Sequence, residues 1–155
     1  MIYQTYGPTG TVGAYLGHAR HLTEAAASLN RQRFGIAANM LLGHAIEVAL
    51  KAWLHGQALR RGESAEKSKS KLAKSPLGHD LPTLWDAAVG EGLTIPSSRP
   101  IWFEFIAQMH GAPFLVRYPA NDVAFPVPED EVCSQILNLI EIIGTALELK
   151  WKPAT

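Results

Sequence analysis

Apolar residues recur along this chain at helical rather than alternating spacing. Between positions 14 and 29, Tyr15, Leu22, Ala26 and Leu29 form an inner stripe, and the Ala25, Ala26, Ala27 run adds intrinsic propensity, which predicts a first helix. The stretch 34–59 predicts a second helix of central character. Projected at about 100° per residue, Leu42, Ile46, Ala49, Leu50 and Trp53 share one wide face, while Leu41, Val48 and Ala52 extend burial to another side. The remaining arc is polar and narrow. His44, Glu47, Lys51 and His55 stand at i, i+3, i+7 and i+11, within about 80° of one another by the 3.6-residue period.

The rest of the chain divides at its Gly and Pro residues. Positions 5–13 hold three Gly and one Pro and read as an irregular lead-in. Positions 60–75 hold six Lys or Arg against two Glu, four Ser and one large apolar residue, Leu72, which predicts a flexible basic linker over 60–76. A short third helix follows through Leu84, Trp85, Ala88 and Val89, with Asp80 as N-cap and Pro82 in its first turn, ended by Gly90 and Gly92. Ile101, Trp102, Phe103, Phe105 and Ile106 predict a fourth helix over 99–109, with a strand as the competing reading. The four prolines between 111 and 128 predict an extended Pro-rich loop. The last helix starts near Pro128 on acidic residues and buries Val132, Ile136, Leu139, Ile140, Ile143 and Leu147. The expected fold class is all-α: an up-down bundle of four to five helices, with the Pro-rich loop before the last.

Length and charge narrow the function. With 155 residues and 47% hydrophobic content, one domain spanning 1–155 is expected, and no run of about 18 apolar residues is present to cross a membrane. Formal charge is zero overall, but it is distributed as +4 over 59–74 and −4 over 120–155. The balance excludes a broad phosphate track, leaving the basic segment as an arm able to touch phosphate. The single Cys133 excludes an internal disulfide, and the N-terminus lacks a signal-peptide pattern, so a cytoplasmic setting is expected.

Several polar groups carry candidate chemistry. Glu47 and Lys51 stand at i and i+4 in the order that favours an ion pair, on a face either solvated or covered by another element or a partner. His79 precedes a helix start, where an imidazole serves as general acid or base, or caps and packs. Arg117 and Tyr118 offer a rigid donor fork for phosphate or carboxylate and a stacking face; the same Arg is suited to pinning its loop to Glu47 or to the acidic tail. His18 with His21, and His44 with Glu47, have the i, i+3 spacing that bundles use for metals. A Glu followed three residues later by His never occurs, so neither a metal nor a cofactor is expected. Cys133 has no sequence-level partner for nucleophilic catalysis. The glycines between 7 and 13 follow no strand, which argues against a nucleotide loop.

The run Ala38 to Leu54, with Glu47, Leu50, Lys51 and Ala52 as Glu-x-x-Leu-Lys-Ala, followed after a variable linker by Gly78-His79-Asp80-Leu81, resembles the HEPN superfamily. Arg117-Tyr118-Pro119 is also similar to a motif in some of its members. The resemblance covers 14–89 in pattern and implies an all-α bundle, a homodimer, and membership among RNA-cleaving toxins or defence proteins, often with a nucleotidyltransferase partner. The family's RNase site is an Arg followed by a His after four to six residues, and none of the seven Arg here has a His at that spacing. The expectation is therefore a binding or interaction domain for nucleotide, RNA or a partner protein, with His44, Glu47, Lys51, Asp80 and Tyr118 as ligand-binding candidates. Two enzyme readings stand beside it: a metal-independent RNase using His79 with Arg117 or Lys51, and a metal-binding bundle enzyme. Trp102, Phe103 and Phe105 add to the dimer expectation unless they are core.

Overall fold

The computed structural model describes residues 10–31, 34–74, 77–111 and 130–149. Among them the chain forms an all-α bundle of six helices with no strand: α1 (Gly10–Arg31), α2 (Gly35–Arg60), α3 (Ala65–Ala73), α4 (Leu81–Gly90), α5 (Ile101–His110) and α6 (Asp130–Ala146). α2 is the axis: α1, α3, α4, α5 and α6 all pack on it. No helix among the described residues is long and apolar enough to cross a membrane. The Pro-rich loop, with Arg117 and Tyr118, lies outside the described residues.

The central position of α2 follows from its sequence. Leu42, Ala45, Ile46, Val48, Ala49, Leu50, Ala52 and Trp53 are all buried, so apolar side chains leave the rod in nearly every direction. α1 differs from expectation in two ways. It begins at Gly10, because buried Val12 anchors the first turn inside the segment read as an irregular lead-in. Its buried line is Val12, Leu16, Ala19, Thr23, Ala26 and Asn30, at alternating steps of four and three, whereas Tyr15, Leu22 and Leu29 flank that line half-buried. Small residues on this seam let α1 and α2 approach closely.

The segment expected as a linker over 60–76 contains α3, which raises the helix number above the four to five expected. Ser64 caps its N-terminus by accepting from the Lys67 N–H at 3.3 Å, Glu66 sits in the first turn, and Leu72 buries against the core. Charge hid this helix, because two buried residues, Ser68 and Leu72, suffice to dock it. Ser68 hydrogen-bonds His55 Nδ1 at 2.7 Å, and the His55 side chain is fully buried.

Burial pushes the His55 pKa down, and nearby Lys69 pushes it further the same way. The unfolded chain therefore binds the proton more readily than the fold does. This contribution to stability is present above about pH 6.5 and is lost as pH falls below it. Denaturation midpoints should drop between neutral pH and about pH 5, and the drop should shrink in the double variant His55→Leu, Ser68→Ala, which removes both polar partners together.

Asp80 caps α4 as expected, its Oδ1 accepting from the Thr83 N–H at 3.1 Å with Pro82 in the first turn. Gly92, at φ +85°, reverses the chain after α4 while the Leu93 N–H donates to the Ala88 carbonyl at 2.9 Å. α5 is a helix, not the competing strand: Phe103, Ile106, Ala107 and His110 are buried at i, i+3, i+4 and i+7. Phe103 is core, its ring 4.6 Å from that of Trp85, while Ile101 is 90% exposed. On α6, Ile136, Leu139, Ile140 and Ile143 are buried as expected, with Leu147 just beyond its end, and Val132 only half so.

Candidate functional site

The polar stripe of α2 is covered rather than solvated, and its four members enter different surroundings. His55 meets Ser68 of α3. His44 lies edge-on to the His18 ring of α1, with centroids 5.6 Å apart. Glu47 and Lys51 face the entry of α4 and the end of α5, where a compact cluster forms.

Glu47 is its centre, only 3% exposed in the middle of the central helix. One turn on, Lys51 Nζ donates to Glu47 Oε1 at 2.7 Å and to the Gly78 carbonyl. His79 places Nδ1 at 3.2 and 3.1 Å from the two Glu47 oxygens, and His110 Nε2 lies 2.7 Å from Oε2. An ionised carboxylate only accepts, so both ring nitrogens carry the proton. The two rings stand 6.5 Å apart between centroids, tilted by 73°. Burial alone would push the Glu47 carboxyl up. Hydrogen bonds from His110, Lys51 and His79 outweigh that and hold it at about 2.

Backbone features make the cluster possible. Gly43, one turn before Glu47, is buried, and a Cβ there would lie 2.5 Å from His110 Nδ1 and 2.8 Å from Cγ. The missing side chain thus forms the recess that admits the imidazole. Gly78 packs against the end of α3, where a Cβ would meet the Ala73 carbonyl oxygen at 3.3 Å. That contact sets the end of α3, which carries exposed Lys71 and Lys74, against the residue that precedes His79.

Of the residues singled out from the sequence, Glu47, Lys51 and His79 meet. Asp80 is the adjacent helix cap, His44 sits on the α1 side, and Arg117 and Tyr118 lie outside the described residues. His110 is the member the sequence did not indicate, being 63 positions from Glu47 and at the end of an apolar helix. Its one sequence signal is Gly43 at i−4 to Glu47, which reads as a recess only once a partner is known. Glu47, His79 and His110 offer ligand atoms within 4.8 Å of one another. This set replaces the spacing-based grouping with His18 and His21. A separate recess of about 270 Å³ between α2, α3 and α4 is lined by Leu54, Ala58, Leu72 and Leu77, and Arg61 at its rim pairs with Glu91.

The cluster combines an exposed imidazole, a buried carboxylate that orients it, a second imidazole and a fixed ammonium group. His79 has half of its side chain exposed, 51%, while its partner Glu47 is buried. With Nδ1 donated to the carboxylate, proton exchange with a ligand runs through Nε2. Comparisons with known proteins give no matching family model, no matching curated protein and no matching solved structure.

Proposed function

We propose that this chain is a HEPN-like domain that recognises RNA or a nucleotide, and that the Glu47–His79 pair is its acid–base centre, working without a metal. The observation that carries the reading is the half-exposed His79 imidazole hydrogen-bonded through Nδ1 to a buried carboxylate. That arrangement fixes one tautomer and leaves Nε2 as the proton acceptor. On RNA, His79 takes the proton of a 2′-hydroxyl, whose oxygen attacks the adjacent phosphorus. The 5′-oxygen leaves with a proton taken from water, the hydroxide so formed takes the proton held on His79, and a 2′,3′-cyclic phosphate remains. Lys51 and the basic end of α3 supply positive charge beside the site.

The wider setting follows the same resemblance: a cytoplasmic homodimer, in a toxin–antitoxin or defence role with a nucleotidyltransferase-type partner. Exposed Ile101 and Phe105 on α5, and Phe34, Ile36 and Met40 around the start of α2, support a self-association surface.

The test is a cleavage and binding assay on single-stranded RNA in EDTA. His79→Gln should lower the cleavage rate by at least about 100-fold with the helical circular-dichroism spectrum unchanged. Replacing Lys69, Lys71 and Lys74 by Ala should weaken RNA binding and flatten its salt dependence by roughly one unit of slope per lost phosphate contact. Tight RNA binding without turnover reduces the site to recognition. Absence of both binding and cleavage, or cleavage indifferent to His79, overturns the proposal.

A further inference from the structure

We infer that Glu47, His79 and His110 also form a site for one divalent transition-metal ion of the zinc type, and that this ion and the acid–base role of His79 exclude each other. The metal-binding part stands on geometry alone; the exclusion rests on the function proposed above.

Three elements deliver the ligands: the middle of α2, the entry of α4 and the end of α5. Their donor atoms lie within 4.8 Å of one another. Glu47 Oε2 is 2.7 Å from His110 Nε2 and 3.1 Å from His79 Nδ1. Two ligands each about 2.0–2.1 Å from a zinc ion lie roughly 3–3.4 Å apart. Modest side-chain adjustment therefore converts the hydrogen-bonded trio into a coordination shell. Two imidazoles and one carboxylate select zinc, cobalt, nickel or copper over magnesium or calcium, which prefer oxygen. Lys51 holds Oε1 and so presents Oε2 to the ion, the orienting contact from outside the ligand set that such sites use. Three protein ligands leave one position of a tetrahedral zinc ion for water or a substrate atom.

Proton accounting gives the exclusion. In the hydrogen-bonded state His79 carries its proton on Nδ1, facing Glu47. Coordination through Nδ1 requires that nitrogen's lone pair, so the proton of the neutral ring moves to Nε2. The nitrogen that faces the ligand changes from acceptor to donor and can no longer take a proton from a hydroxyl. His110 changes likewise, its proton moving from Nε2 to Nδ1, beside Gly43. Two neutral rings release no net proton; each ring charged beforehand releases one.

The test is a titration of the EDTA-treated, desalted 155-residue chain with Co²⁺, followed by visible ligand-field absorption, then displacement by Zn²⁺ followed by calorimetry. One ion per chain is expected. Affinity should fall at least tenfold in His79→Gln, whose half-exposed side chain leaves the core intact, and in His110→Gln, with folding checked by circular dichroism. The double variant His18→Gln, His21→Gln should bind as the parent does. Absence of Co²⁺ absorption, or binding indifferent to His79 and lost in the His18, His21 variant, overturns the site. In the same RNA assay run without EDTA, Zn²⁺ should inhibit cleavage in parallel with occupancy. Occupancy without inhibition of an active protein overturns the exclusion but leaves the metal site standing. A protein that binds Co²⁺ as expected but never acts on RNA refutes the proposed function alone.

Discussion

Glu47→Gln is expected to cost about 3 kcal/mol of folding stability at neutral pH in metal-free protein. The amide keeps the shape of the side chain and removes its charge. Lys51, with only 14% of its side chain exposed, then keeps a positive charge with the Gly78 carbonyl but no carboxylate. The pH dependence gives a second reading of the same quantity. The Glu47 carboxyl is held at about 2 in the fold against 4.5 as its ordinary value. Its contribution is therefore fully present above pH 4.5 and is lost as pH falls from there towards 2. Chemical denaturation of parent and variant across that window should show the gap closing as the parent's carboxylate protonates. A gap that stays constant with pH would mean that packing, not charge, sets the loss. RNA cleavage by the variant should also fall, because an amide no longer fixes the His79 tautomer as a carboxylate does.

The second large effect concerns Gly43. Exchanging glycine for alanine inside a helix ordinarily stabilises by up to about 1 kcal/mol. Here the new Cβ would sit 2.5 Å from His110 Nδ1, 2.8 Å from Cγ and 3.0 Å from Cβ. Overlap that reaches the His110 Cβ cannot be relieved by turning the ring alone. Gly43→Ala should therefore destabilise by about 1–2 kcal/mol net and pull His110 off Glu47. Gly56→Ala is the control, since its Cβ would press on the flexible tip of Leu147, at 2.8 Å from Cδ2, and should cost less. The two variants compared by thermal denaturation give the sign. Gly43→Ala should also weaken Co²⁺ binding while cleavage, which relies on His79, persists in larger measure.

How far the sequence could be read depended on the range of the interactions. α2 was legible because its apolar residues are dense and its polar stripe narrow, and α4 because Asp80 and Pro82 mark its start within a few residues. The register of α1 was not, since the buried seam runs through Ala19, Thr23 and Ala26 while the larger Tyr15 and Leu22 flank it. Tyr15 and Leu22 draw attention as core residues, but close helix approach selects small side chains instead. α3 was hidden because its docking rests on Leu72 and the Ser68–His55 bond, and the latter needs α2 in place. In the site, Glu47 and Lys51 were local to one helix and His79 was marked by its motif. His110 joins through a contact between distant positions, which no periodicity records.

Glu47 also has a consequence for how α2 is seated. A rod with apolar side chains on nearly every side fits its neighbours in several rotations about its own axis, all of similar hydrophobic content. One carboxylate removes that degeneracy. Turning α2 by a single residue, about 100°, would drive Glu47 into hydrocarbon, strand His79 and His110 without their shared acceptor and take Lys51 from the Gly78 carbonyl, at a cost of several kcal/mol. The residue that gives the cluster its chemistry therefore also acts as the key that locks the central helix in one orientation.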